Sequence, residues 1–193
     1  MKRFNLNNSS STAKLFLSAC IFLFTLSTNA AQPPIDTGLE IGTAFPELAV
    51  LDQFGDKQQL SNITKDKGAV IVLFRSADWC PFCKKHLLEL NDEAEDFIEK
   101  GYGLAGISYD SPKTLRKFAQ KKKLKFSLLS DQNVATFKAL NVVNKEYQPG
   151  DRHYGIPYPG VLVVDQNGKI THKYFFEGYK DRVKFDELIK KLK

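Results

Sequence analysis

Cysteine is scarce in this chain: only Cys20, Cys80 and Cys83 occur among 193 residues. Histidine is equally sparse, at His86, His153 and His172, so one Cys-x-x-Cys pair has few companions for a four-ligand structural zinc site. No histidine directly follows Cys83, which argues against covalent haem attachment. No apolar run reaches the roughly 18 residues of a membrane-spanning helix, and no internal repeat or low-complexity tract is present. With 42% hydrophobic and 26% charged residues, the composition excludes a disordered or fibrous chain and suits one globular domain. The net charge of +6 does not point to nucleic acid, because the basic run Lys121-Lys122-Lys123-Leu124-Lys125 has no interleaved aromatics and reads as a solvated helix end.

The N-terminus has its own composition. A polar, basic MKRFNLNNSSSTAK precedes the apolar LFLSACIFLFTL, and STNAAQPP follows. This is the pattern of a secretory signal over residues 1–30, cut after Ala30, with an extended leader at 31–40 and the folded domain at 41–193. Two other fates compete: lipidation at Cys20 in Leu17-Ser18-Ala19-Cys20, or retention as an anchor. Cleavage would remove Lys2, Arg3 and Lys14 and no acid, lowering the charge from +6 to +3. It would leave Cys80 and Cys83 as the only cysteines of a periplasmic or secreted protein, in a compartment where disulfides persist. Two residues apart, they close too small a loop to contribute much chain-entropy stabilisation, so chemistry explains them better than a structural clip.

Elements alternate along the domain. Residues 47–51 and 57–60 flank DQFGD as a hairpin, and 68–74 (GAVIVLF) is an apolar run suited to a strand buried on both faces. Apolar or small residues at Cys83, Leu87, Leu90, Ala94 and Phe97 trace one helical face up to Lys100-Gly101. Strands follow at 102–109 and 126–129, and helices at 111–124 and 133–140. A hairpin spans 160–164 and 169–176, and a closing helix 179–193. The sum is an α/β fold with a central mixed sheet flanked by helices and an N-terminal β-hairpin extension.

The stretch DWCPFCKKH, residues 78–86, carries the chemistry. Cys80 falls at or before the first turn of a helix, where free amides and the dipole stabilise a thiolate and can lower its pKa to about 3.5–7.5. Pro81 suits that turn, and Lys84 and Lys85 add positive potential. Cys83 begins the inward stripe, so Cys80 is expected to face solvent and Cys83 to be sheltered. Trp79 is expected beside the dithiol. His86 reads either as a proton-transfer group or as a solvated surface histidine.

DWCPFCK after a buried strand resembles the active site of the thioredoxin superfamily. GISYDSP at 106–112, FSLLSD at 126–131 and VLVVDQNGKI at 161–170 resemble its alkyl hydroperoxide reductase/thiol-specific antioxidant (AhpC/TSA, redoxin) branch, from about Ile41 to the C-terminus. The resemblance implies a thioredoxin-like fold and an enzyme without cofactor or metal. As partners it implies protein or small-molecule thiols and disulfides, a redox partner protein and, in some members, peroxide. It also implies a cis Tyr158-Pro159 bond that exposes backbone to substrate. The peroxidase pattern T-x-x-C would put its threonine at Cys80 and its peroxidatic cysteine at Cys83. Its arginine, six residues before Asp165, is here Pro159, and Arg152 is a substitute candidate.

The first reading is therefore an exported thiol-disulfide oxidoreductase, with Cys80 attacking and Cys83 resolving. The alternative is a thiol peroxidase with Cys83 peroxidatic and Cys80 resolving; a metal-binding or structural module is the third.

Overall fold

The computed structural model describes Met1 and residues 34–192. The expected signal with Cys20, and the first residues of the leader, lie outside the described residues apart from Met1.

Seven strands form one mixed sheet. At its centre is β3 (Gly68–Leu73), buried along its whole length, between β4 (Tyr102–Ser108), to which it is parallel, and β6 (Gly160–Val164), to which it is antiparallel. Outward from β4 come the parallel β5 (Ser127–Ser130), then β1 (Val50–Asp52) and β2 (Lys57–Gln58) as the expected hairpin. Its DQFGD turn closes on Asp52, whose Oδ1 accepts the amides of Phe54, Gly55 and Asp56 at 2.8–3.0 Å. Outward from β6 lies β7 (Ile170–Phe175).

Because successive strand residues point to opposite faces, β3 supplies two cores. Val70 and Val72 join a layer built on α2 (Pro81–Asp92), α3 (Ala94–Glu99), α4 (Pro112–Lys122) and α6 (Phe185–Lys191). Ala69, Ile71 and Leu73 face a smaller layer with Ile63 of α1 (Leu60–Ile63), Phe137 of α5 (Ala135–Ala139), Phe45 and Leu48. The expected stripe of Cys83, Leu87, Leu90, Ala94 and Phe97 is buried in the first layer as one face. The helix carrying it is broken at Glu93, which caps α2 and starts α3.

Three boundaries differ from expectation by more than two residues or in kind. The first strand starts at Val50, not at residue 47. The closing helix starts at Phe185, not Tyr179: Gly178 leaves helical space at φ 73°, and the following segment is tied down by its Val183 carbonyl, 3.0 Å from His86 Nε2. Leu60 belongs to the short helix α1, closed by reciprocal bonds between Gln59 and Asn62, rather than to a strand. Among the described residues no helix is long and apolar enough to cross a membrane.

The inward stripe makes a measurable distinction within α3. Phe97 is fully buried against Phe185 with ring centroids 6.2 Å apart, whereas its neighbour Ile98 is 46% exposed. Phe97→Ala is expected to cost about 3–5 kcal/mol in urea unfolding and Ile98→Ala less than about 1 kcal/mol.

Candidate functional site: a buried dithiol under an arginine

The chain leaves β3 at Leu73 and must turn sharply to start α2 at Pro81. That turn is held by Asp110, just past the end of the neighbouring β4. Its carboxylate accepts bonds from Ser76 Oγ (2.8 Å), the Ala77 amide (2.6 Å) and Ser108 Oγ (3.0 Å). Ser76 Oγ in turn accepts the amides of Asp78 (2.9 Å) and Trp79 (3.3 Å). Burial raises the Asp110 pKa, while the bonds from Ala77, Ser76 and Ser108 work to lower it.

The turn delivers Cys80 to the N-cap of α2, with Pro81 in the first helical turn. Cys80 Sγ accepts the Cys83 amide at 3.2 Å, and the two cysteines form a disulfide with Cα atoms 5.3 Å apart. The amide end of the helix thus faces Cys80, as expected. The expected exposure of Cys80 is corrected: Cys80 is 0% and Cys83 1% accessible.

Arg75, the first charged residue after the apolar run, helps to cover it. Its guanidinium is buried, donates from Nη2 to Cys80 Sγ (3.7 Å), and lies 4.3 Å from the Tyr179 ring and 5.0 Å from the Trp79 ring. Tyr179 also meets Phe82 edge-on at 5.4 Å, so the residues before α6 lie over the Cys-Pro-Phe-Cys turn. A guanidinium this close to sulfur favours the thiolate whenever the disulfide opens.

Among the described residues no group of three or more His, Cys, Asp or Glu could hold a metal ion. The AhpC/TSA family profile matches residues 41–173. The chain belongs to the AhpC/TSA family. It is 36% identical over 135 residues to the chloroplastic peroxiredoxin Q of Oryza sativa subsp. japonica, covering 69% of this chain and 58% of that one. It is 29% identical over 155 residues to peroxiredoxin Bcp of Escherichia coli (strain K12), covering 80% and 96% respectively. This chain therefore spans somewhat more than half the length of the rice relative and nearly all of the bacterial one. In fold, it matches the crystal structure of peroxidoxin BcpB from Mycobacterium tuberculosis with a TM-score of 0.68 at 24% identity, over 80% of this chain and 96% of that one.

Around this AhpC/TSA dithiol, Trp79 lies where expected: its Nε1 donates to the Tyr109 hydroxyl (3.0 Å), and its ring packs on His153 at 4.2 Å. His86 is corrected. It is neither solvated nor bonded to the dithiol, but 3% exposed, stacked on Phe185 at 4.5 Å and donating from Nε2 to the Val183 carbonyl. Burial pushes its pKa down to about 4, with nearby Arg182 adding to the effect and the Val183 bond opposing it. The cis expectation is also corrected, since no peptide bond among the described residues is cis. Pro159 is buried at the start of β6, beyond the Leu73/Gly160 pair. Tyr158 packs on the layer opposite the dithiol, its amide bonded to the Val142 carbonyl (2.8 Å). Arg152 is exposed and has no hydrogen bond to the dithiol; the arginine at the sulfur is Arg75.

Arg75 and Asp110 were missed in the sequence. Each leaves one signal: a cation directly after a fully apolar strand, and an acid in the GISYDSP motif.

Two outcomes follow. In the reduced protein, Arg75→Gln is expected to lower the fraction of Cys80 held as thiolate at neutral pH, read as thiolate absorbance against wild type. His86, depressed when folded, contributes stability that is present above the unfolded pKa of 6.5 and lost as pH falls toward about 4. Urea unfolding at pH 7 and pH 4.5 is expected to show a loss of roughly 2 kcal/mol that His86→Gln largely removes.

Proposed function

We propose that this chain is a thiol peroxidase in which Cys83 is oxidised by peroxide and Cys80 resolves it. This replaces protein disulfide exchange as the first reading. The observation that carries it is the closed Cys80–Cys83 disulfide with both sulfurs buried: a small peroxide reaches such a site far more readily than the disulfide of a folded protein. The names of the relatives, peroxiredoxin Q and peroxiredoxin Bcp, point the same way, and Cys83 stands at the cysteine of the T-x-x-C pattern.

The Cys83 thiolate attacks a peroxide oxygen, so that an S–O bond forms and the O–O bond breaks. The leaving oxygen takes up a proton, and Cys83 becomes a sulfenic acid. The Cys80 thiolate then attacks the sulfenic sulfur; the S–S bond forms and the hydroxyl leaves as water after protonation. Arg75 serves this second step by keeping Cys80 ionised. Two equivalents of external thiol supply the electrons that reopen the disulfide. Export is part of the reading, supported by the signal-like composition of residues 1–30.

One observation favours the exchange reading: the cation and the amide bond both fall on Cys80, which also occupies the threonine position of the peroxidase pattern. Two variants separate the readings. Under peroxidase chemistry, Cys83→Ser loses peroxide consumption to background, while Cys80→Ser forms one sulfenic acid per chain and stalls. Should Cys83→Ser instead accumulate mixed disulfides with proteins while Cys80→Ser stays inert to peroxide, the exchange reading replaces the one proposed.

A further inference from the structure

Two guanidinium groups carry unpartnered buried nitrogens: Arg75 at the disulfide and Arg182 in the segment that follows Tyr179. Arg75 is 7% exposed, and its Nε has no hydrogen-bond partner. Arg182, in the segment before α6, donates from Nη1 to the Asp181 carbonyl (2.6 Å), while its buried Nη2 has no partner. Neither side chain forms an ion pair among the described residues. Burial and, second, the charge of Arg75 push the Arg182 pKa down to about 10, with Asp181 opposing. The geometry brings them to one corner: the Tyr179 ring, three residues before Arg182, lies 4.3 Å from the Arg75 guanidinium, and the Val183 carbonyl next to Arg182 is bonded to His86 of α2. Buried donors are normally hydrogen-bonded, so Arg75 Nε and Arg182 Nη2, buried without a partner, mark a place for an anion.

The redox state decides which anion. When the dithiol is reduced, the Cys80 thiolate itself faces Arg75. When the disulfide is closed, that charge is gone, and Arg75 has no ion pair among the described residues. On the solvent side stand Phe82 (37% exposed) and Tyr179 (40% exposed), in edge contact with each other, with Tyr179 against Arg75.

We propose that Arg75 and Arg182 form an anion-recognition site that receives the carboxylate of a small thiol and so selects the reductant of the Cys80–Cys83 disulfide. The inference rests on the peroxidase reading for its place in the cycle. A thiolate bound in this way attacks Cys83 Sγ, its own proton having gone to solvent. The protein S–S bond breaks, Cys80 leaves as the thiolate beside Arg75, and Cys83 carries the mixed disulfide. A second thiol attacks the bound thiol's sulfur, releases the small-molecule disulfide and restores Cys83.

The test uses the oxidised full-length protein and follows disulfide reduction through the fluorescence of Trp79, the only tryptophan in the chain. Matched thiols, 3-mercaptopropionate and 2-mercaptoethanol, are compared in wild type, Arg182→Gln and Arg182→Lys. The rate ratio of acid to neutral thiol is expected to fall about tenfold or more in Arg182→Gln and to be partly kept in Arg182→Lys, as loss of one charge-assisted bond predicts. Propionate is expected to compete with the acid thiol in wild type, a measurement that needs no variant. An unchanged ratio in Arg182→Gln, or no competition by propionate, overturns the site. A parallel arm compares a fatty-acid hydroperoxide with its methyl ester; a loss of preference confined to that arm overturns the assignment to the reductant. Disulfide reduction is read without peroxide, so failure of the peroxidase reading, seen as absent hydrogen peroxide consumption, stays distinguishable from failure of this site.

Discussion

The site depends on the hold that Asp110 keeps on the turn between β3 and α2. A strand end and a helix start lie within seven residues, and the backbone amides in that gap need acceptors. Asp110 and Ser76 supply them, and Ser130 Oγ secures the clamp from β5 by donating to the Asp110 carbonyl at 2.7 Å. The helix can then begin at the cysteine pair, which fixes Cys80 at the amide end and Cys83 in the first turn. Three neighbouring strands therefore set the position of one sulfur.

Electrostatically the site is one-sided. Asp110 spends its charge on the backbone turn, leaving Arg75 to face sulfur and aromatic rings. Such an environment holds an anion cheaply in one redox state and lacks it in the other. The aromatic faces of Trp79 and Tyr179 accommodate the cation by their quadrupoles and also exclude water, which strengthens its pull on the thiolate.

Much of the architecture was legible in the chain because the signals were local. GAVIVLF could only be a doubly covered strand, and the spacing from Cys83 to Phe97 could only be one helical face, whether or not the helix broke at Glu93. DWCPFC carried the family and the placement of the dithiol at a helix start. The missing parts were set by distant partners. Asp110 acts 33 positions from Ala77, and His86 is buried by a carbonyl 97 positions away. No periodicity encodes such meetings. The exposure expected for Cys80 failed for the same reason: Tyr179, which lies over Arg75 and Phe82, belongs to a segment that looked helical in isolation. The cis expectation at Pro159 came from resemblance, and the local backbone of this chain does not follow it.

The sheet borders have a consequence for self-association. β2 is only two residues long, and β7 is flanked by the segment 35–42: Ile35 donates to the Phe175 carbonyl, Gly42 donates to the Ile170 carbonyl at the other end, and Lys173 pairs with Asp36 and Glu40 between them. Strand addition by a second copy would first have to peel that segment away. Trimming the chain past this segment would thus uncover the β7 edge as a template for aggregation.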